Sequence, residues 1–244
     1  MNAESDVPPS RLPMLYTGVE ALDRARHGAM RLTDAGQGFA RTATSVPIAA
    51  EEFALAARLM PIVFAAAAPH MPVALLGLGA GANHFVDGTG KWRPGAYIPA
   101  YLRRYPFLLA HAAADSDQAF LCVDPTAPQL STTEGDPLFD AEGAPAHIAM
   151  RAFDFARNVE GAFRRTQEMA EALLLMGLLQ PAAIQFDHQG KPFRVDGFHA
   201  IERERLMSLT GEQLVLLRDK GWLEPIHAHL LSLHGIAELK RLEG

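Results

Sequence analysis

A long amphipathic pattern in the C-terminal half places the strongest constraint on the fold. From about residue 146 to residue 179, apolar side chains recur at three- and four-residue steps, the spacing of one face of an α-helix. The stripe consists of Ala152, Phe155, Ala156, Val159, Phe163, Ala170, Leu173, Leu174 and Gly177, with Thr166 on the same face. The pattern predicts one long helix whose apolar stripe packs against another layer of the protein.

Short apolar runs separated by turn residues fill the preceding part of the chain and predict strands. They lie at residues 45–49, 62–64, 73–78, 84–86, 107–112 and 118–123. Residues 87–90, Asp-Gly-Thr-Gly, predict a hairpin turn with its return strand at Lys91 and Trp92. Two further strands are predicted at residues 183–186 and 193–195. Shorter helices are expected at residues 51–60, 97–105, 202–208, 210–221 and 226–242.

Strands that precede long helices, rather than alternate with them, favour the α+β class. We predict a curved, mostly antiparallel sheet in the N-terminal half, packed with a helix-rich C-terminal half. The expected organisation is an N-terminal arm (1–44), a β-rich part (45–124), a linker or ordered loop (125–146) and a helix-rich part (147–244), forming one integrated globule. The loop is rich in Pro, Gly, Thr and acidic residues.

Composition excludes several classes of protein. A formal net charge of −6 argues against a general nucleic-acid binder. The single cysteine, Cys122, excludes an intrachain disulfide and a cysteine-based zinc site within one chain. No apolar run reaches the roughly 18 residues of a membrane helix, and the N-terminus lacks a signal-peptide pattern. We therefore expect a cytoplasmic protein without a membrane span.

Residues 91–107, here called the aromatic–basic segment, are the strongest candidate for a binding surface. The segment contains three of the four tyrosines, and no Asp or Glu occurs between residues 88 and 114. In a structural interpretation its rings are buried and its arginines pair with acids elsewhere. In a functional interpretation, Arg103 and Arg104 recognise a carboxylate or phosphate. The ligand or partner would then also contact Trp92, Arg93, Tyr97 and Tyr101.

Evidence for a metal or cofactor site is weak. The best candidate ligands are His84, Asp87 and His111, which would have to converge in the fold, because no His-x-Asp or His-x-Glu motif is present. The spacing of Gly77, Gly79 and Gly81 departs from that of a phosphate-binding loop and favours bulges or bends. We predict no cofactor and no catalytic residue.

Several motifs, in this order, resemble the bacterial SapC family, the surface-array-locus type rather than the transporter permease of the same label. They are KWRPGAYIPAYLRRYPF, LFDAEG, GLLQP, VDGFHAIERERLMSL and GWLEPIHAHLLSLHGIAEL, within residues 45–242. The resemblance implies a setting near genes for TonB-dependent receptors, flavin-dependent halogenase-like proteins and cupin-like proteins. It implies no particular reaction and transfers no catalytic residue.

Two functional hypotheses follow. The first is a non-enzymatic binding or accessory protein, associated with envelope uptake or modification of an imported compound. Its partners would be an anionic small molecule or peptide, or a protein from such an uptake or halogenase-like locus. The alternative is a metal-dependent enzyme, with iron the first candidate, acting on such a compound. Apolar faces on the last two predicted helices fit either a homodimer or a single core.

Overall fold

The computed structural model describes residues 12–78, 81–112, 118–188 and 190–242, apart from the side chain of His188. The chain divides into two compact units, each made of two segments. The first unit contains Met1–Thr33 and Pro106–Phe153, and the second contains Asp34–Tyr105 and Asp154–Gly244. Residues 1–11 of the expected N-terminal arm and Gly79 of the expected bends lie outside the described residues.

Helices and strands are both present throughout the described part of the chain. The strands are β1 (Glu20–Ala21), β2 (Arg31–Leu32), β3 (Ser45–Pro47), β4 (Ile62–Ala65), β5 (Pro72–Leu75), β6 (Phe107–His111), β7 (Ala119–Val123), β8 (Leu130–Ser131), β9 (Asp136–Pro137), β10 (Leu179–His188) and β11 (Lys191–Ile201). The α-helices are α1 (Arg24–His27), α2 (Phe53–Ala56), α3 (Ala100–Arg103), α4 (His147–Leu175), α5 (Arg203–Met207), α6 (Gly211–Asp219), α7 (Leu223–Ser232) and α8 (Gly235–Arg241). Short 3-10 helices form at Gly38–Ala40 and Ala50–Glu52.

The first unit contains two small antiparallel sheets. Their strand orders are β1-β7-β6 and β8-β2-β9, so the strands of residues 125–146 both pair with β2. The buried side chains of Phe107, Val123, Leu138 and Phe139 form its apolar core. Asp124 follows β7 and is fully buried, and its carboxylate accepts hydrogen bonds from Thr17 and Thr126. Burial opposes the ionised form, but these bonds outweigh it and lower the pKa of Asp124.

The second unit is built on one five-stranded sheet with the order β10-β11-β4-β5-β3. Every pair in this sheet is antiparallel. Helices α7 and α8 contact the sheet, where Val63, Phe198, Ala200 and Ile236 form a buried apolar cluster. In the part of α4 that belongs to this unit, most of the apolar stripe is buried, including Ala156, Val159, Ala170 and Leu173, although Leu174 is exposed. The amphipathic pattern therefore marks the packed face of α4.

The α+β class is confirmed, although the main sheet is not confined to the N-terminal half. Strands β10 and β11 come from the C-terminal half and extend the sheet beside β4. Both are longer than the sequence predicts. In β10, Pro181 is tolerated because β10 is an edge strand, where a missing N–H can face away from the sheet. No described helix is long and apolar enough to cross a membrane.

Several predicted helix limits are wrong, including that of the helix predicted at residues 51–60, where α2 ends at Ala56. The aromatic–basic segment contains only the four-residue α3, because Pro99 is extended (φ −52°, ψ 140°) and caps the helix. Helix α4 ends at Leu175, since Gly177 adopts φ +69° and the N–H of Leu178 donates to the carbonyl of Leu173. The predicted last helix is divided into α7 and α8 around residues 233 and 234.

Candidate functional site

The aromatic–basic segment begins on the predicted hairpin. Val86 and Trp92 form an antiparallel bridge, and the N–H of Asp87 donates to the carbonyl of Lys91 at 2.9 Å. The Asp87 carboxylate accepts from the hydroxyl of Thr89, which is the main reason that the pKa of Asp87 is lowered. Asp87 thus stabilises the turn that precedes Trp92 and the rest of the segment.

Three aromatic rings of the segment are packing groups of the second unit. Trp92 stacks on Phe85 with ring centroids 5.5 Å apart, and its indole N–H donates to the carbonyl of Tyr97 at 3.2 Å. Tyr101 meets Phe163 edge to face at 6.3 Å, and Tyr105 stacks on Phe39 at 4.3 Å. The side chains of Trp92, Tyr101 and Tyr105 are all buried. Their burial fixes the backbone that carries the polar residues beside them.

Glu52, in the 3-10 helix Ala50–Glu52, is the polar centre of this region. Its side chain is buried, with 6% of the residue exposed. One carboxylate oxygen, Oε1, accepts from the Tyr97 hydroxyl at 2.9 Å and from the Ala100 N–H at 2.6 Å. The other, Oε2, accepts from the Ala49 N–H at 2.9 Å. Three donors therefore compensate the desolvation of this carboxylate and connect the 3-10 helix to the start of α3.

Tyr97 joins Glu52 to Arg103. The Nη2 of Arg103 donates to the Tyr97 hydroxyl at 2.9 Å, and its Nε donates to the carbonyl of Ile98 at 3.0 Å. Burial and the neighbouring negative charge of Glu52 raise the pKa of Tyr97 to about 12. Tyr97 therefore stays protonated and donates its hydroxyl hydrogen to Glu52. Arg103 is the nearest positively charged residue of this hydrogen-bond network.

Arg103 also lies against two aromatic faces and points outward. Its guanidinium carbon is 5.5 Å from the ring centroid of Tyr97 and 5.2 Å from that of Phe155. Arg103 is nevertheless exposed, and no carboxylate of the described residues lies within ion-pair distance of it. Hydrogen bonds hold the Nε–Nη2 edge of the guanidinium, and the other edge is open to solvent.

The two remaining arginines of the segment differ from Arg103. Arg104 is half-buried, with its guanidinium carbon 4.5 Å from the ring centroid of Tyr101. Burial raises the pKa of Tyr101, although the charge of Arg104 acts in the opposite direction. Arg93 is exposed, and its backbone N–H donates to the carbonyl of Phe85. Arg103 is thus the member of the set that combines fixed orientation with exposure.

The candidate metal ligands have separate surroundings. His84 follows β5, Asp87 holds the hairpin turn, and His111 is an exposed residue at the end of β6 in the first unit. The described residues include no group of three or more His, Cys, Asp or Glu side chains that could hold a metal ion. A metal-dependent enzyme stays a hypothesis, which stoichiometric iron or zinc in purified protein would support.

A model of one protein family, SapC, matches residues 22–239 of the 244-residue chain. The chain belongs to the SapC family. No curated protein and no solved structure matches it. The match spans both units, and it includes Glu52, Tyr97 and Arg103. This membership confirms the resemblance that the motifs indicated, and it carries no assignment for any residue of the SapC chain.

Sequence reasoning missed Glu52, the residue that organises the site. A Glu three residues after the N-cap is the acidic half of a capping box, which bonds back to the N-cap N–H, although Ala49 lacks the hydroxyl of the other half. That signal could have placed Glu52 at a helix start. It could not have indicated burial, because the other two donors lie 45 and 48 residues further along the chain.

Proposed function

We propose that this SapC chain is a non-enzymatic binding protein that recognises the anionic group of a small molecule or peptide through Arg103. The observation that carries the proposal is the state of this guanidinium. It is exposed, it is oriented by two hydrogen bonds, and no carboxylate of the described residues neutralises it by a direct ion pair. Carboxylate and phosphate groups fit the planar donor set of arginine.

Fixed orientation makes this arginine a better anion site than an ordinary surface arginine. A free side chain loses rotamer entropy when it binds, which offsets much of the gain from an exposed ion pair. Arg103 has already lost that freedom, because Tyr97, Ile98 and Phe155 hold its guanidinium. Preorganisation of this kind increases affinity without any additional contact.

The surrounding residues favour the same class of ligand. The sequence has no Asp or Glu between residues 88 and 114, so that stretch contributes no like charge to repel an anion. Lys91 and Arg93 are exposed members of the segment and add positive charge. The Tyr97 and Phe155 rings beside Arg103 offer apolar surface to the body of a ligand. An anionic group on an apolar or aromatic body fits these features together.

The cellular setting proposed for this activity comes from the family resemblance. A binding or accessory protein of this kind would act in the cytoplasm, alongside proteins of envelope uptake or of modification of an imported compound. Binding without turnover suits an accessory role, in which the chain holds or presents the compound to a protein partner. The proposal assigns no reaction to the SapC chain.

Titration of small aromatic anions against Arg103 variants tests the proposal. Phenyl phosphate and benzoate are expected to bind, and neutral benzamide is expected not to bind. Arg103→Ala should weaken binding of the anions by about tenfold or more, since hydrogen bonds to charged groups contribute about 1.5–3 kcal/mol. Arg103→Lys keeps the charge without the planar donors and should give an intermediate affinity. Isothermal titration calorimetry measures all of these.

Arg58→Ala is the matched control, because Arg58 is another exposed arginine of the second unit. This variant should bind phenyl phosphate as the wild type does. If Arg103→Ala keeps full affinity and only lowers the thermal midpoint, Arg103 is a structural partner of Tyr97 and Glu52 and the proposal is wrong.

A further inference from the structure

A cavity of about 350 Å³ opens in the second unit between three stretches of chain. One wall is the 3-10 helix and α2, with Ala50, Glu51 and Ala54. A second is α4, with Arg165 and Thr166. The third is the turn between α6 and α7 with Lys220, Gly221 and Trp222, together with Glu224 and Pro225 at the start of α7. Glu51 faces this cavity, whereas its neighbour Glu52 belongs to the network that holds Arg103.

The polar side chains of the first two walls already bond to each other or to the backbone. Arg165 donates from Nε and Nη2 to Oε1 of Glu51, at 2.8 and 2.6 Å. Thr166 is buried, and its hydroxyl accepts from the Ala50 N–H and donates to the carbonyl of Ala162. These bonds hold α4 against the 3-10 helix. They also occupy most of the hydrogen-bonding groups that Glu51, Arg165 and Thr166 contribute to the cavity.

The turn between α6 and α7 and the start of α7 supply polar groups that remain available for a ligand. Nζ of Lys220 lies 5.8 Å from the ring centroid of Trp222, and no described carboxylate pairs with it. Glu224 forms no ion pair with the described residues. The indole N–H of Trp222 makes no hydrogen bond with them either, unlike that of Trp92. One ammonium, one carboxylate and one neutral N–H donor are thus left to line the same cavity.

The shape of this turn follows from Gly221. It adopts φ +71°, and the N–H of Trp222 returns to the carbonyl of Leu217 at 2.9 Å. This hydrogen bond ends α6, and α7 begins at Leu223, two residues after Gly221. Because the backbone is fixed in this way, Lys220 and Trp222 are presented to the cavity from a rigid turn.

From this arrangement we infer that the cavity binds a free α-amino acid with an apolar side chain. The ligand carboxylate pairs with Lys220 and accepts from the indole N–H of Trp222, and the ligand ammonium pairs with Glu224. The zwitterion therefore meets three groups that form no ion pair or hydrogen bond with the described residues, and the Glu51–Arg165 pair stays intact. Each charge of the ligand then meets an opposite charge of the protein, because a charge that is partly removed from water is costly unless it is paired.

Size and lining support a ligand of this kind. A volume of about 350 Å³ is at the lower end of the range for small-molecule sites, roughly 300–1,000 Å³. The methyl groups of Ala50 and Ala54, the ring of Pro225 and the indole face of Trp222 provide apolar surface for a side chain. This site does not depend on Arg103, so each can fail without the other.

Calorimetric titration of the full chain with L-leucine, N-acetyl-L-leucine and L-leucinamide tests the inference. L-Leucine is expected to bind. N-acetyl-L-leucine lacks the ammonium and L-leucinamide lacks the carboxylate, so each should bind about tenfold more weakly or worse. Lys220→Ala and Glu224→Gln should each weaken L-leucine by a similar factor. Lys191→Ala and Glu204→Gln remove exposed residues of the same kinds from the second unit and should change nothing.

The pattern of affinity losses shows which side chain binds which charged group of the ligand. In Lys220→Ala, the affinity difference between L-leucine and L-leucinamide should become smaller, because the carboxylate keeps only the indole N–H of Trp222. In Glu224→Gln, L-leucine and N-acetyl-L-leucine should become equivalent. The inference is overturned if L-leucine does not bind. It is also overturned if wild type binds the three compounds alike, or if the two variants leave the differences unchanged.

Discussion

Replacing Glu52 with alanine is expected to lower the free energy of unfolding by about 3–4 kcal/mol. The change removes a buried acceptor and leaves the N–H groups of Ala49 and Ala100 and the hydroxyl of Tyr97 without it. Each buried donor that loses its partner costs about 1–3 kcal/mol, and the removed side chain leaves a void. Urea unfolding monitored by circular dichroism measures the loss.

Glu51→Ala is the control for this effect. Glu51 is the preceding residue and also pairs with an arginine, but both side chains are about 60% exposed. Exposed ion pairs contribute only about 0–1 kcal/mol, so Glu51→Ala should unfold close to wild type. Equal stability losses in the two variants would show that Glu52 does not organise the segment around Arg103.

His229 is expected to make the stability of the SapC chain depend on pH. This residue is fully buried in α7, where its Nδ1–H donates to the carbonyl of Ile62 at 2.9 Å and its Nε2 accepts from the N–H of Ile201 at 3.1 Å. The contact with Ile201 requires the neutral ring, because a protonated Nε2 cannot accept a hydrogen bond. Burial lowers the pKa of His229 from 6.5 to about 4, although the bond to Ile62 opposes this shift.

The sign of the pH effect follows from this lowered pKa. As pH falls through 6.5 the unfolded chain binds a proton at His229 while the folded chain does not, so the equilibrium shifts toward unfolding. The stabilisation is complete above about pH 6.5 and is lost progressively down to about pH 4. Over that window the loss from this one group is about 3 kcal/mol.

Urea unfolding between pH 4.5 and 7.5 measures the effect as a difference between variants. His229→Gln removes the titration and should flatten the pH dependence relative to wild type, besides lowering stability at neutral pH. His227→Gln changes an exposed histidine of the same helix and should leave the pH dependence as it is. A wild-type slope that persists in His229→Gln would show that other groups cause it.

Local sequence signals predicted the elements well where neighbouring residues alone decide the structure. Thr210 caps α6, and its hydroxyl accepts from the N–H of Gln213, at the residue where the sequence predicts the start of this helix. Asp87 and Gly88 form the expected hairpin turn before Trp92. The stripe of α4 marked its buried face correctly. In each case the determining residues lie within one or two turns of each other.

Tertiary contacts decided the features that the sequence did not predict. Pro181, Pro192 and Gly197 are residues that commonly interrupt strands, yet β10 and β11 continue past them because the two strands pair on both sides of an irregularity between Ala182 and Ile184. Glu52 and Arg103 both looked like surface residues, and only the fold places Tyr97 between them. The cavity likewise combines residues near 50, 165 and 222, which no local pattern connects.

The central claim, that the SapC chain binds an anion at Arg103 without transforming it, can be tested by one NMR titration. The Nε–H resonance of Arg103, assigned by its absence in Arg103→Lys, is followed in ¹⁵N-labelled protein as phenyl phosphate is added. We expect a saturable shift of that resonance, with the phenyl phosphate recovered unchanged. A resonance that does not move while the ligand binds elsewhere, or conversion of the ligand to phenol, would contradict the claim.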